Sequence, residues 1–229
     1  MCTGTWNGSR VLQSKQARQR DRYYYVKRDR KGVVVEKSFQ KEARDFYAPY
    51  YANGDKAHLI DHADSVCNLA LEINHCCEEK LVILASYLHD LFNAEDRKNH
   101  NKLAYEYVLK QEDRFLKELE QSELLEVAHA VLEHRASFKG EFYSKLSELI
   151  SAADRGRPNL KEVVIRSMGY NNENAEDVAK HIKEKYATDG YANYPKVYKE
   201  LFAKELAEFQ KEADDITVER VLELYSEAS

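Results

Sequence analysis

Cysteine is scarce in this chain: four residues among 229, at Cys2, Cys67, Cys76 and Cys77. Two of them are chain neighbours and no pair has Cys-x-x-Cys spacing, which argues against a disulfide framework and against a zinc knuckle. Eight glycines and three prolines are too few for a collagen-like or linker-rich chain. No stretch approaches the ~18 uninterrupted apolar residues of a membrane span. The N-terminus lacks the basic-then-apolar order of a signal peptide. A phosphate-cradling Gly-rich loop, a Gly-x-Ser-x-Gly elbow and a His-Glu-x-x-His helix are also missing. The expectation is a reduced, soluble, cytoplasmic protein with no membrane partner.

Charge is plentiful and unevenly placed. Charged residues make up 33% of the chain and the net charge is −5. Between Arg10 and Lys31 there are nine Lys/Arg against Asp21 and Asp29, so this segment carries +7 and the remainder −12. A basic arm can meet phosphates, whereas an acidic body repels them unless a metal or a local basic cluster intervenes. Residues 1–20 show no period and read as a solvated arm. Tyr23–Val26 and Val33–Lys37, separated by Lys27–Gly32, suit a β-hairpin. The Tyr23–Tyr25 run with its flanking arginines also has the aromatic and basic mix of single-strand nucleic-acid binders.

From Ser38 onward the pattern is helical. Leu59, His62, Ala63, Val66, Leu69, Ala70 and Ile73 follow i, i+3, i+4, i+7 spacing. A segment from about Glu79 to Phe92 is apolar on most sides and is expected to be central. Further stripes run through Leu124, Val127, Ala128 and Val131, and through Leu146, Leu149, Ile150 and Ala153. Pro195 suits a helix start before Tyr198, Phe202, Leu206 and Phe209, and Thr217 suits an N-cap for a last short helix. The expected organisation is an all-α fold with a small N-terminal β-hairpin appendage. Its parts are a basic arm (1–20), hairpin and lead-in (21–50), helical core (51–170) and C-terminal helices packed on that core (171–229).

Polar residues interrupt the apolar stripes. His62 sits between Leu59 and Val66, His89 continues Val82 and Ala85, His134 extends Val127 and Val131, and Asp154 follows Ile150. One buried imidazole is easily satisfied, but a carboxylate on an apolar face is costly unless paired or bound to a cation. Convergence on a metal explains all of them together. Imidazole with carboxylate suits Mn, Fe, Co, Ni or Zn and, less well, Mg.

His62, the adjacent pair His89–Asp90 closing the run Ala85-Ser86-Tyr87-Leu88, and Asp154 within Ala152-Ala153-Asp154-Arg155 resemble the HD superfamily of metal-dependent phosphohydrolases. Asp61-His62-Ala63-Asp64-Ser65-Val66 looks like the first helix of that family, with Ser65 where an arginine is frequent. Val131–Ser137 looks like the segment before the last ligand. The resemblance spans about residues 55–160. It implies an HD-domain helical bundle with His62, His89, Asp90 and Asp154 around one divalent ion (Mn, Fe, Co, Ni or Mg), and a possible second metal recruited by His100 with His134. It implies hydrolysis of phosphate esters or anhydrides by metal-activated water. Asp90 is then a ligand that also orients the water, and His134 a phosphate contact or general acid. Asn93, Arg135, Arg157 and Lys139 are candidates for substrate contact, and His58, one turn before His62, for the pocket mouth. His75, His129 and His181 stand in polar surroundings and are expected on the surface.

Three functions fit these residues. The first is a phosphohydrolase acting on a nucleotide or related small phosphate. The second is an HD-type nuclease that holds single-stranded nucleic acid with the basic arm. The third is a non-catalytic helical binding module.

Overall fold

The structure is a computed structural model that describes residues 24–28, 34–53, 59–170 and 174–227. The basic arm and His58 lie outside the described residues. Of the expected hairpin only two backbone segments are described. The strands β1 (Tyr24–Arg28) and β2 (Val34–Ser38) pair antiparallel, with Tyr24 opposite Ser38.

The helices are α1 (Phe39–Tyr51), α2 (Ile60–Ile73), α3 (Glu79–Leu88), α4 (His100–Leu109), α5 (Gln121–Glu133), α6 (Lys145–Asp154), α7 (Leu160–Tyr170), α8 (Ala175–Tyr186), α9 (Lys196–Leu201), α10 (Ala203–Asp214) and α11 (Val218–Ser226). Local sequence explains many of the boundaries. Ser38, Ser144, Asn174 and Thr217 each accept a backbone N–H three residues on, capping α1, α6, α8 and α11. Glu120 and Glu123 form a reciprocal capping box at α5. Helix α6 stops because Gly156 takes a left-handed conformation (φ 68°) just beyond it, with Pro158 following.

Helix α3 is the hub. Every residue from Leu81 to Leu88 is buried, as its lack of a polar face requires. Helices α1, α2, α5 and α6 pack around it, and α4 packs on α5. The C-terminal helices complete the body, with α11 against α7 and α8, α10 against α8, and α9 against α6. No helix among the described residues is long and apolar enough to cross a membrane.

Two polar clamps fix α1 on this body. Arg44 donates through Nε to Asp64 of α2 at 2.7 Å, and the same carboxylate accepts from the Tyr87 hydroxyl of α3 at 2.8 Å. Asp113, buried after α4, accepts from the hydroxyls of Tyr47 (2.8 Å) and Tyr107 (3.1 Å) and from the backbone N–H of Phe115 and Leu116. Four donors around one carboxylate satisfy an anion that burial would otherwise penalise. Truncation leaves the fully buried Tyr47 hydroxyl and two N–H groups without their acceptor. Asp113→Ala is therefore expected to cost about 3 kcal/mol and to lower Tm by roughly 6–12 °C, while bound-metal stoichiometry in the folded fraction stays the same. Thermal melting with elemental analysis checks both.

Candidate metal centre

Helix ends build the centre. His89 and His134 are the C-cap residues of α3 and α5, and Asp154 is the last residue of α6. His62 comes from the first turn of α2, and His100 opens α4. The last carbonyls of a helix have no intrahelical partner. At α3 and α5 the histidines use this, since His89 Nδ1 donates to the Ser86 carbonyl and His134 Nδ1 to the Val131 carbonyl, both at 2.7 Å. His100 Nδ1 donates to the Arg97 carbonyl at 2.8 Å. In the neutral ring, with the proton on Nδ1, each Nε2 presents a lone pair inward, the form a metal requires; in the protonated ring the same Nε2 donates to a carboxylate.

Asp90 lies between two such sets of donors. Its Oδ2 is 3.7 Å from His62 Nε2 and 3.5 Å from His89 Nε2. These two nitrogens are 3.4 Å apart, and Asp154 Oδ1 lies 3.1 Å from the first and 3.7 Å from the second. Its other oxygen, Oδ1, is 3.0 Å from His100 Nε2 and 3.6 Å from His134 Nε2, which are 3.1 Å from each other. Donors bonded to one ion at about 2.1 Å stand about 3.0 Å apart in an octahedron and about 3.4 Å apart in a tetrahedron. The observed spacings run from 3.0 to 3.7 Å, within that range or up to 0.3 Å beyond it. His62, His89 and Asp90 form one group able to hold a metal, and Asp90, His100 and His134 another. Two lone-pair nitrogens facing each other at 3.1 Å repel unless a cation or proton lies between them, so the donor chemistry fits an ion at the second group too.

The electrostatics agree. Burial raises the Asp90 carboxyl, but His89 by charge and His100 and His134 by hydrogen bonding outweigh it and hold it well below the usual range. Asp154 is likewise held low against burial by the hydrogen bond from His62 and by the charges of His89 and His134. Burial pushes the His89 imidazole down to about 4. Helices α3, α5 and α6 all end here, and their negative dipole ends add to the pull on a cation.

The other sequence candidates fall as follows. Asn93 is buried, with Nδ2 3.4 Å from Asp90 Oδ1. Arg135 borders the cavity over the centre and donates through Nη1 to the Lys98 carbonyl. Arg157 is placed elsewhere. It pairs with Glu72, stacks over Phe202 at 5.5 Å and lines a separate, more apolar cavity of about 560 Å³ beside His62 and Asp154. Lys139 donates to the Tyr191 carbonyl, which ties down a loop. His134 is buried at the centre. Its Nδ1 is bonded to the Val131 carbonyl, which leaves Nε2 facing the centre 3.1 Å from His100 Nε2. His129 is half-buried rather than on the surface, stacked on Tyr143 at 4.0 Å and bonded to Glu133. His181 lines the cavity over the centre, and no periodic signal marked it. Arg155, next to Asp154 in the sequence, also stays next to it in space. It is buried and donates to Asp154 Oδ2, to the carbonyls of His134 and Asn193, and to Ser151 Oγ.

Acid is expected to weaken the metal-free protein before ordinary carboxylates protonate. Folded His89 stays neutral down to about pH 4, whereas the unfolded chain protonates it near pH 6.5. The unfolded state therefore binds more protons between these values, and stability falls as pH drops from about 6.5 to 4, by about 3 kcal/mol from this group. Asp90 and Asp154 then withdraw their share at still lower pH. Denaturant melts of chelator-treated protein from pH 8 to 4 measure this; a flat profile between pH 6.5 and 5 contradicts it.

Residues 57–168 match the family model described as the HD domain, just under half of the chain. No curated protein and no solved structure matches the chain. The matched segment begins before His62, ends beyond Asp154, and contains the five residues of the two donor groups together with Asp154. Residues 57–168 of this chain are an HD domain, of the superfamily of metal-dependent phosphohydrolases.

Proposed function

We propose that the protein is a metal-dependent phosphohydrolase that cleaves a phosphate ester or anhydride of a small molecule of the nucleotide type. The observation that carries this reading is Asp90, whose two carboxylate oxygens face two separate sets of histidines. His62, His89, Asp90 and Asp154 would hold one divalent cation, and Asp90, His100 and His134 a second. Two imidazole nitrogens at each ion favour Mn, Fe, Co or Ni over Mg. Bound cations would acidify a water and offset charge developing at phosphorus.

The chain's own residues do the rest. Asp90, with both oxygens engaged, acts as a shared ligand and not as a free base. Asn93 steadies its Oδ1. Arg135, on the loop directly after His134, is placed to hold a phosphoryl oxygen of the substrate. The apolar walls of α3, α5 and α6 exclude bulk water from the far side of the ligands, which strengthens every charge interaction at the centre.

Two variants test the assignment. Asp90→Ala removes the shared ligand, so metal content should fall from near two per chain toward zero and turnover of nucleotide substrates by more than about 10³-fold. His134→Ala removes one ligand of one group only, so metal content should fall from near two toward one. Elemental analysis with Mn-supplemented assays on a panel of nucleotides reads both. Full turnover in purified Asp90→Ala would overturn the site.

A further inference from the structure

The cavity over the metal centre is not bounded by the HD domain alone. It measures about 440 Å³, within the size range of small-molecule sites. One side is formed by Asp90, His100, His134 and Asp154. The facing side comes from α8 and the turn after it, through His181, Lys185, Tyr186 and Tyr191. All four lie beyond the segment that matches the family.

This wall is joined to the ligand-bearing loop after α5. The Asn193 backbone N–H donates to the Ala136 carbonyl at 2.9 Å and its side chain to the Phe138 carbonyl at 2.9 Å. Lys139 donates to the Tyr191 carbonyl, and Arg155 to the Asn193 carbonyl. The chain reaches this loop by a tight turn at Gly190, where a Cβ would come within 2.5 Å of the Lys185 carbonyl oxygen. Glycine is required there by that close approach.

The charge of the lining is one-sided. Arg97, Arg135, Arg155, Arg166 and Lys185 border the cavity, and among the described residues its carboxylates are the two ligands Asp90 and Asp154. Arg166 and Lys185 converge on the Tyr186 hydroxyl. A single phosphoryl group at the metal centre is neutralised by the cations proposed there. Cations beyond the proposed metals, Arg166 and Lys185 among them, around one partly enclosed space favour more negative charge than one phosphate brings.

We propose that Lys185 and Arg166, set against the metal centre by the C-terminal helices, bind a phosphoryl group other than the one being hydrolysed, so that the substrate is an anhydride with at least two adjacent phosphates. This rests on the phosphohydrolase reading above. The scissile phosphorus stays at Asp90 and its neighbours, while the second phosphate lies across the cavity. Water adds at phosphorus and releases a proton to solvent, the bridging P–O bond breaks, and the second phosphate leaves with that electron pair.

Calorimetric titration of the Mn-loaded protein with methylenediphosphonate, which cannot be hydrolysed at its bridge, and with methylphosphonate measures this without turnover. Wild type is expected to bind the diphosphonate at least about tenfold more tightly than the monophosphonate, the worth of one charge-assisted contact. Lys185→Ala should lose most of that ratio, and Lys185→Arg should recover most of it. Equal affinities in wild type, or an unchanged ratio in Lys185→Ala, overturn the proposal while leaving the hydrolase reading intact. A protein that retains no divalent metal overturns both.

Discussion

Burying the carboxylate of Asp90 is the constraint around which the rest of this structure is arranged. It is 5% exposed, at the end of the most hydrophobic helix in the fold. An isolated anion there would cost many kcal/mol or take up a proton. Neither happens, because imidazoles approach both of its oxygens and Asn93 lies beside one of them. Opposite charge and geometry thus stand in for water, and the same groups that solvate the carboxylate are arranged to share a cation with it.

That solution depends on where helices end. An imidazole in mid-helix finds no free carbonyl within its own helix. At a C-terminus the orphan carbonyl three residues back accepts its Nδ1 proton, and the far nitrogen becomes a donor to metal. His89 and His134 both use this device, and His100 repeats it with the Arg97 carbonyl. Terminating α3, α5 and α6 at one point brings together three ligands, their fixed tautomers and three negative dipole ends. The burial of α3 on all sides holds this point still, since no polar face lets it rotate.

Much of this was legible in the sequence, for a physical reason. His62, His89, His134 and Asp154 interrupt apolar stripes, and a polar residue on a buried face signals because it is costly. The all-α architecture followed from the same periodicity. His100 was harder to place, because its neighbours Arg97, Lys98 and Asn99 are polar and only the packing of α4 on α5 buries it. His181 and Lys185 were invisible for a related reason. They lie on the polar face of an amphipathic helix, and a face turned toward a wet cavity has the same pattern as one turned toward solvent. Arg157 follows Asp154 by three residues, and Gly156 turns the chain between them so that Arg157 meets Glu72 and Phe202 at the edge of a cavity that His62 and Asp154 also line.

The guanidinium of Arg155 ties these parts to one another. Its fork reaches a metal-site carboxylate, the carbonyl that closes α5, a serine of α6 and the carbonyl of Asn193 in the C-terminal lobe. A lysine offers a point charge without that planar set of donors and could not span them. Detaching the C-terminal helices would strip an acceptor from a buried cation, so their opening costs a contact that the metal-site helices share, and the margin of the recurring domain is not a line along which the contacts part.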